Sequence, residues 1–275
     1  MKIPRKIRGF LGRTRLAANY VLGRQAMAKR VSSDEDDVWI VSFPKSGNTW
    51  TRFLIANLIA RDGVVDWTNI ERFIPDAALH RDTQLSTLPR PRYFKSHAPY
   101  QPEYRRVVFI VRDPRDVAVS YYHFAQKANR IGAGQSVADF VDEFIAGRTD
   151  PYGSWGENVG SWLGARRGTN DFLVVRYEDL LADAEPQLAR IARMLQLPDD
   201  SVCLRRAIEN SQADRMRKLE QAQHDKHIFL KETRKDVPFV RAAKSGQWKT
   251  ELPAEAVARI EAAWGPLMRE LGYLQ

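Results

Sequence analysis

Short runs of consecutive apolar residues alternate along this chain with longer stretches whose apolar positions recur every three or four residues. Residues 38–43 (VWIVSF) form the first run. A run this short, without polar alternation, is the pattern of a strand buried on both faces. From Asn48 the spacing changes, and Trp50, Phe53, Leu54, Asn57 and Leu58 follow a helical period. Three more strands are predicted at residues 93–95, 107–112 and 172–175. A helix is expected over residues 115–125, after Asp113 and Pro114. Residues 186–195 form a clear amphipathic helix, with Leu188, Ile191, Ala192 and Leu195 on one side. Strands alternating with helices predict an α/β fold, a parallel β-sheet flanked by helices on both faces. Residues 132–135 and 147–156 read as surface loops. The polar stretch 221–241 reads as a lid or a long exposed connection.

Charge changes this picture at one end only. The net charge is +9, yet residues 1–30 hold nine Lys and Arg and no acid, and the rest of the chain holds 34 side chains of each sign. A balanced body argues against nucleic acid as a partner. Within the arm, Ile3, Ile7, Phe10 and Leu11 keep a helical period between basic residues. Such a segment suits peripheral contact with an anionic membrane, and equally a helix packed on the domain, a tail or a transit peptide. The acidic run 32–37 separates the arm from the body, which divides the chain into residues 1–37 and 38–275. No apolar run approaches the roughly 18 residues a membrane span needs. The single cysteine, Cys203, reads as a small core residue and allows no intrachain disulfide. Its solitude favours a reducing compartment, so a cytoplasmic location is expected, with membrane association through the arm as one of the alternatives above.

The chemistry begins where the first strand hands over to its helix. The intervening residues Phe43, Pro44, Lys45, Ser46, Gly47, Asn48, Thr49 and Trp50 form a tight turn at a helix N-terminus, where backbone N–H groups and the helix dipole favour an anion. Gly47 allows close approach of the backbone and Lys45 adds a full charge. Ser46, Asn48 and Thr49 offer side-chain hydrogen bonds. A nucleotide-binding Walker loop places its lysine after the last glycine, and here the lysine comes first.

Residues 44–50 resemble the 5′-phosphosulfate loop of the cytosolic-type sulfotransferases, usually Pro-Lys-Ser-Gly-Thr-Thr-Trp, with only Asn48 departing. Three further segments agree in order. Residues 111–124 (VRDPRDVAVSYYHF) resemble the family's 3′-phosphate-binding strand and helix, with Arg112 and Ser120 at the phosphate positions. Lys95-Ser96-His97 matches the Lys-x-His catalytic segment. Arg176-Tyr177-Glu178-Asp179 matches a Tyr-Glu-Asp whose tyrosine contacts adenine. The resemblance runs from about residue 38 to 249. It implies a P-loop-like fold and sulfuryl transfer from 3′-phosphoadenosine 5′-phosphosulfate (PAPS) to a hydroxyl acceptor, leaving adenosine 3′,5′-bisphosphate (PAP). It casts Lys45 as the partner of the leaving phosphate, Lys95 as the partner of the sulfuryl oxygens and His97 as the base. Trp50 and Tyr177 fall at the adenine, and no metal is required.

The later part of the chain departs from the family. Residues 239–249 (FVRAAKSGQWK) keep Arg241, Gly246, Trp248 and Lys249, but Ala242 and Ala243 replace the Lys-Gly that follows the arginine. Ser211 matches a threonine near the adenine, and Ala213 stands where a stacking aromatic is expected. These departures leave room for a catalytically inactive nucleotide-binding module of the same fold; a P-loop-type kinase is the other alternative. The acceptor is expected to be a small molecule, lipid or glycan. Residues 67–81 and 126–135 are expected to shape its pocket. Phe73, Ile74, Leu79 and Phe140 are candidate lining residues that core packing explains equally well.

Overall fold

Unbroken apolar runs require cover on both faces, and the structure supplies it. The computed structural model describes residues 32–275 apart from Asp62, Ala133 and Ala242. The basic arm, with the alternatives of membrane contact, packed helix, tail or transit peptide, lies outside the described residues, as does Ala242 of the closing segment. Among the described residues, β1 (Val38–Ser42), β2 (Tyr93–Ser96), β3 (Arg106–Val111) and β4 (Phe172–Arg176) form one sheet in the order β2-β1-β3-β4, parallel throughout. In β1, Val38 and Ile40 face one layer while Trp39 and Val41 face the other. In β3, Val108 and Ile110 oppose Val107, Phe109 and Val111. Full burial of such a side chain contributes about 1.5–3 kcal/mol, so a one-residue slip of a central strand would be costly.

The helices follow as α1 (Asn48–Ile59), α2 (Ile70–Phe73), α3 (Asp82–Leu85), α4 (Pro114–Lys127), α5 (Val137–Ile145), α6 (Trp155–Arg166), α7 (Tyr177–Ala182), α8 (Ala184–Leu195), α9 (Ser201–Asn210), α10 (Ala213–Gln223), α11 (Trp248–Glu251) and α12 (Ala254–Glu270). Helices α1, α8 and α9 cover one face, through Phe53, Leu54, Leu188, Ile191 and Leu204. Helices α4, α5, α6 and α12 cover the other, through Val117, Phe140, Phe144, Trp162 and Ile260. Local chemistry sets their starts. Asp113 accepts the Arg115 N–H ahead of Pro114, and Ser154 with Glu157 forms a reciprocal capping box at α6.

The acidic run is bound to the body. The buried Arg92 guanidinium grips Asp37 through Nε at 2.8 Å and Nη2 at 2.6 Å, and Arg90 pairs with Asp34 and Asp36.

Three expectations change. The segment 147–156 is not a surface loop: Asp150 is buried, and Trp155 already opens α6 with its ring in the core. Gly147 permits the fold of this segment, since its φ is +68° and a Cβ there would stand 2.8 Å from the Ser154 nitrogen. Residues 221–241 are not an exposed connection, because His224, His227 and Leu230 are buried and Phe239 packs against both core clusters. Cys203 is half-exposed in the first turn of α9, where the neighbouring Asp200 raises its thiol pKa.

Candidate active site

At the C-terminal ends of the strands lies a cavity of about 1390 Å3. Parallel α/β sheets open their crevices at this edge, and the floor here is the turn between β1 and α1. Lys45 holds a left-handed φ of +68° and Gly47 one of +95°. Gly47 is the N-cap of α1 and no side chain caps that helix, so its first turn offers backbone N–H groups to the cavity. A Cβ on Gly47 would lie 2.3 Å from the Tyr177 ring. The glycine therefore lets the first and last of the four motifs touch.

Not every residue of the turn points outward. Ser46 is fully buried and its hydroxyl has no partner. Asn48 turns its amide back to β1, donating to Ile40 O and Ser42 Oγ at 3.2 Å each. The Asn48 amide nitrogen is thus committed to the strand end, whereas its Oδ1 and the Ser46 hydroxyl are buried without a partner. Thr49 and Trp50 line the cavity as expected.

Arg112 is the hub of the donor half. It donates to Lys45 O at 3.2 Å and to Lys244 O at 3.1 Å, and its guanidinium lies 4.4 Å from the centre of the Tyr177 ring. Its Nε is buried without a partner. Asp113 does not compete for it, being occupied by Arg115. Ser120 lines the same half, and the Tyr177 ring meets Trp50 edge-on at 5.9 Å. Arg241 also reaches the cavity but is paired with Glu251 at 3.2 Å. Ser211 stands apart: fully buried, its hydroxyl receives the Asn57 amide at 3.2 Å, and Gln212 and Ala213 line the wall in its place.

The expected catalytic groups converge. The Lys45 ammonium sits 4.5 Å from the ring centre of Phe124 and 4.2 Å from that of Phe239. Burial, then the charges of Arg112 and Arg241, bring its pKa down to about 7. Lys95 is ion-paired with Asp76, and their segments are joined by backbone bonds from Lys95 N to Pro75 O and from Ala77 N to Lys95 O. His97 Nδ1 lies 2.7 Å from Ser42 O. A carbonyl only accepts, so Nδ1 carries the proton and Nε2 keeps its lone pair. Burial, then the Lys95 charge, holds the His97 pKa down to about 3. Asn158 donates to His97 O at 3.1 Å and Trp162 to Ala98 O at 2.9 Å, which fixes the backbone that carries the ring.

Beyond His97 the wall is built by residues whose roles the motifs do not announce. Asp76, Tyr121, Asp150, Tyr152 and Leu79 line it, with the Tyr152 ring 5.7 Å from the imidazole. Burial pushes the Asp150 carboxyl up to about 6. Of the four apolar candidates only Leu79 lines the cavity; Phe73, Ile74 and Phe140 pack into the core clusters. Part of this wall was readable: Ser154 followed by Glu157 signals a helix start, which limits how far the preceding loop can extend.

A family model described as the sulfotransferase domain matches residues 35–272. The amine sulfotransferase of Oryctolagus cuniculus is 23% identical over 252 residues, covering 86% of this chain and 82% of the relative. Sulfotransferase 2B1 of Mus musculus is 28% identical over 240 residues, covering 83% and 69%. In fold, the chain is similar to mouse sulfotransferase SULT7A1 complexed with PAP, at TM-score 0.71 and 21% identity, covering 93% of this chain and 90% of the other. It is also similar to retinol dehydratase in complex with androsterone and inactive cofactor PAP, at TM-score 0.70 and 21% identity, covering 90% and 84%.

Proposed function

The chain belongs to the sulfotransferase family and is an enzyme that moves a sulfuryl group from PAPS, releasing PAP; on that premise we propose that Lys45, Lys95 and His97 perform the transfer to an acceptor hydroxyl. The observation that carries this reading is the state of His97: its Nδ1 proton is committed to Ser42 O, its ring is neutral, and its other nitrogen is left as an acceptor beside two lysines. The residues around it suit the donor. The uncapped first turn of α1, the bare Gly47 and the unpartnered Arg112 Nε are spare capacity for a ligand with two separate anionic groups.

The roles follow from charge. When bound, PAPS supplies an activated sulfuryl group whose departure leaves negative charge on a phosphate oxygen. Lys45 and the first turn of α1 face that charge, and positioned cations in a water-poor site stabilise it without reorganising. Lys95 faces the sulfuryl oxygens, oriented by Asp76. Arg112, Ser120 and Arg241 hold the 3′-phosphate, and Trp50 and Tyr177 flank the adenine. His97 Nε2 accepts the acceptor's proton as the new S–O bond forms, when that proton becomes acidic. Burial, then the Lys95 charge, lowers the basicity of His97 in the free enzyme; an anionic donor would offset the lysine part of that effect, and the acceptor's rising acidity in the transition state meets the rest.

Retinol and androsterone name what one structural relative binds, and an acceptor of small-molecule size fits the cavity here. Cytoplasmic location and membrane contact through residues 1–30 are proposals that rest on sequence. Among the described residues no helix is long and apolar enough to cross a membrane. His97→Ala tests the central role. Turnover from PAPS is expected to be abolished while PAP binding stays within about twofold, less than 0.5 kcal/mol. A fully active variant would show that another group takes the proton.

A further inference from the structure

Lys127 ends α4 and Glu220 lies in α10, and both are almost fully buried, at 1% and 4% exposure. Their ammonium and carboxylate stand 3.4 Å apart. A buried pair of this kind rarely adds stability over well-packed apolar side chains, so its hydrogen bonds are the place to look for its use. They go to one short stretch of backbone. Lys127 Nζ donates to Arg234 O at 2.6 Å and to Val237 O, and Arg234 N donates back to Lys127 O at 3.0 Å. The two Glu220 oxygens accept the N–H groups of Phe239 at 2.7 Å and Val240 at 2.9 Å. Arg217, one turn before Glu220, donates to Arg241 O at 2.7 Å.

This stretch forms the cavity wall beside the donor half. Phe239 presents its ring to the Lys45 ammonium, and Val240 and Arg241 line the cavity next to it. The far end is held by the same helix that holds the near end. Asp116, in the first turn of α4, accepts Gly246 N at 2.6 Å and Trp248 N at 3.1 Å. Helix α4 also carries Ser120 into the cavity between these two anchors.

We propose that Lys127 and Glu220 are positioning residues for the donor site: as a buried pair they fix the course of residues 234–241, and with it the Phe239 ring against Lys45 and the reach of Arg241 into the cavity. This rests on the assignment of Lys45 and Arg241 to the donor. Neither residue lines the cavity. The pair holds the wall in its working shape before the ligand arrives, so binding does not bear the entropy of ordering that segment.

The test is calorimetric titration of the full chain with PAP, comparing the wild type with Lys127→Met and Glu220→Gln. Methionine keeps the length and burial of the lysine but donates no hydrogen bonds. Glutamine keeps the shape of the glutamate and loses its charge. Misplacement of the wall raises Kd at constant stoichiometry, whereas loss of folded protein lowers the stoichiometry and leaves Kd alone. The expected result is a PAP Kd about tenfold weaker in Lys127→Met, and weaker by a smaller factor in Glu220→Gln, each with close to one site per chain. If Lys127→Met does not fold, the glutamine variant decides alone. Variants that fold and bind PAP within twofold of the wild type overturn the inference and leave the donor-site reading standing. A wild type that binds no PAP overturns that reading, and the inference with it.

Discussion

PAP binding should draw a proton into the site. In the free enzyme the Lys45 ammonium lies between two aromatic rings, and burial with the neighbouring guanidiniums of Arg112 and Arg241 lowers its pKa to about 7. At pH 8 such a group is charged in only about one molecule in ten. A bound phosphate favours the charged form, so Lys45 in the complex is protonated and binding takes up about 0.9 proton at pH 8. His97, held near 3, stays neutral at that pH in both states. Linkage then weakens PAP binding by nearly tenfold, about 1.4 kcal/mol, for each pH unit above 7. Titration calorimetry in two buffers of different ionisation enthalpy reads the uptake directly. Lys45→Arg supplies a cation of fixed charge and should erase the uptake while retaining binding. No uptake in the wild type at pH 8, or equal uptake in the arginine variant, would mean that Lys45 does not take up the proton. The same shift affects the free protein. Its folded lysine titrates below the unfolded value of 10.5, so between pH 7 and 10.5 the unfolded chain binds more protons. Its contribution to stability therefore rises with pH across that window and is lost as pH falls towards 7.

Two further substitutions separate site geometry from fold. Gly47→Ala forces a side chain into a left-handed turn, at a cost of about 1–2 kcal/mol, and drives its methyl group into the Tyr177 ring; PAP affinity by calorimetry should fall at least tenfold, and unchanged affinity would remove the turn from the site. Asp37→Asn removes the carboxylate that receives both ends of the buried Arg92 fork. Denaturant unfolding should show a loss of about 3 kcal/mol, with activity per folded molecule unchanged; a loss under 0.5 kcal/mol would mean that Asp34, which also touches Arg92, suffices alone.

Much of the architecture was legible because a parallel sheet leaves runs without polar interruption. The run at residues 107–112 becomes Arg106–Val111, and the helix expected at 115–125 becomes Pro114–Lys127. The residues that converge at the cavity floor were legible too, since Lys45, Gly47, Arg112 and Tyr177 belong to motifs at strand ends, and parallel strands bring their ends to one edge. What stayed hidden was the direction of polar side chains. The Asn48 amide donates back to β1, and Ser211 serves Asn57 rather than the cavity. Hydropathy also misreads a segment whose polar groups are buried by pairing. The later part of residues 221–241 looks exposed because its polar backbone is held by Lys127 of α4 and Glu220 of α10, contacts that leave no local pattern. The Asp76 partner of Lys95 is likewise made by a contact between separated segments and leaves no local pattern.

Sulfuryl transfer from PAPS by this chain is measured directly by following the fate of a radiolabelled sulfuryl group. Purified full-length protein is incubated with labelled PAPS and a panel of phenols, alcohols, sterols and amines, and products are separated and counted. Label is expected in at least one hydroxylated acceptor, with PAP released in equal amount and no product from His97→Ala. Label that stays on PAPS with every acceptor, from a protein that binds no PAP, would contradict that expectation.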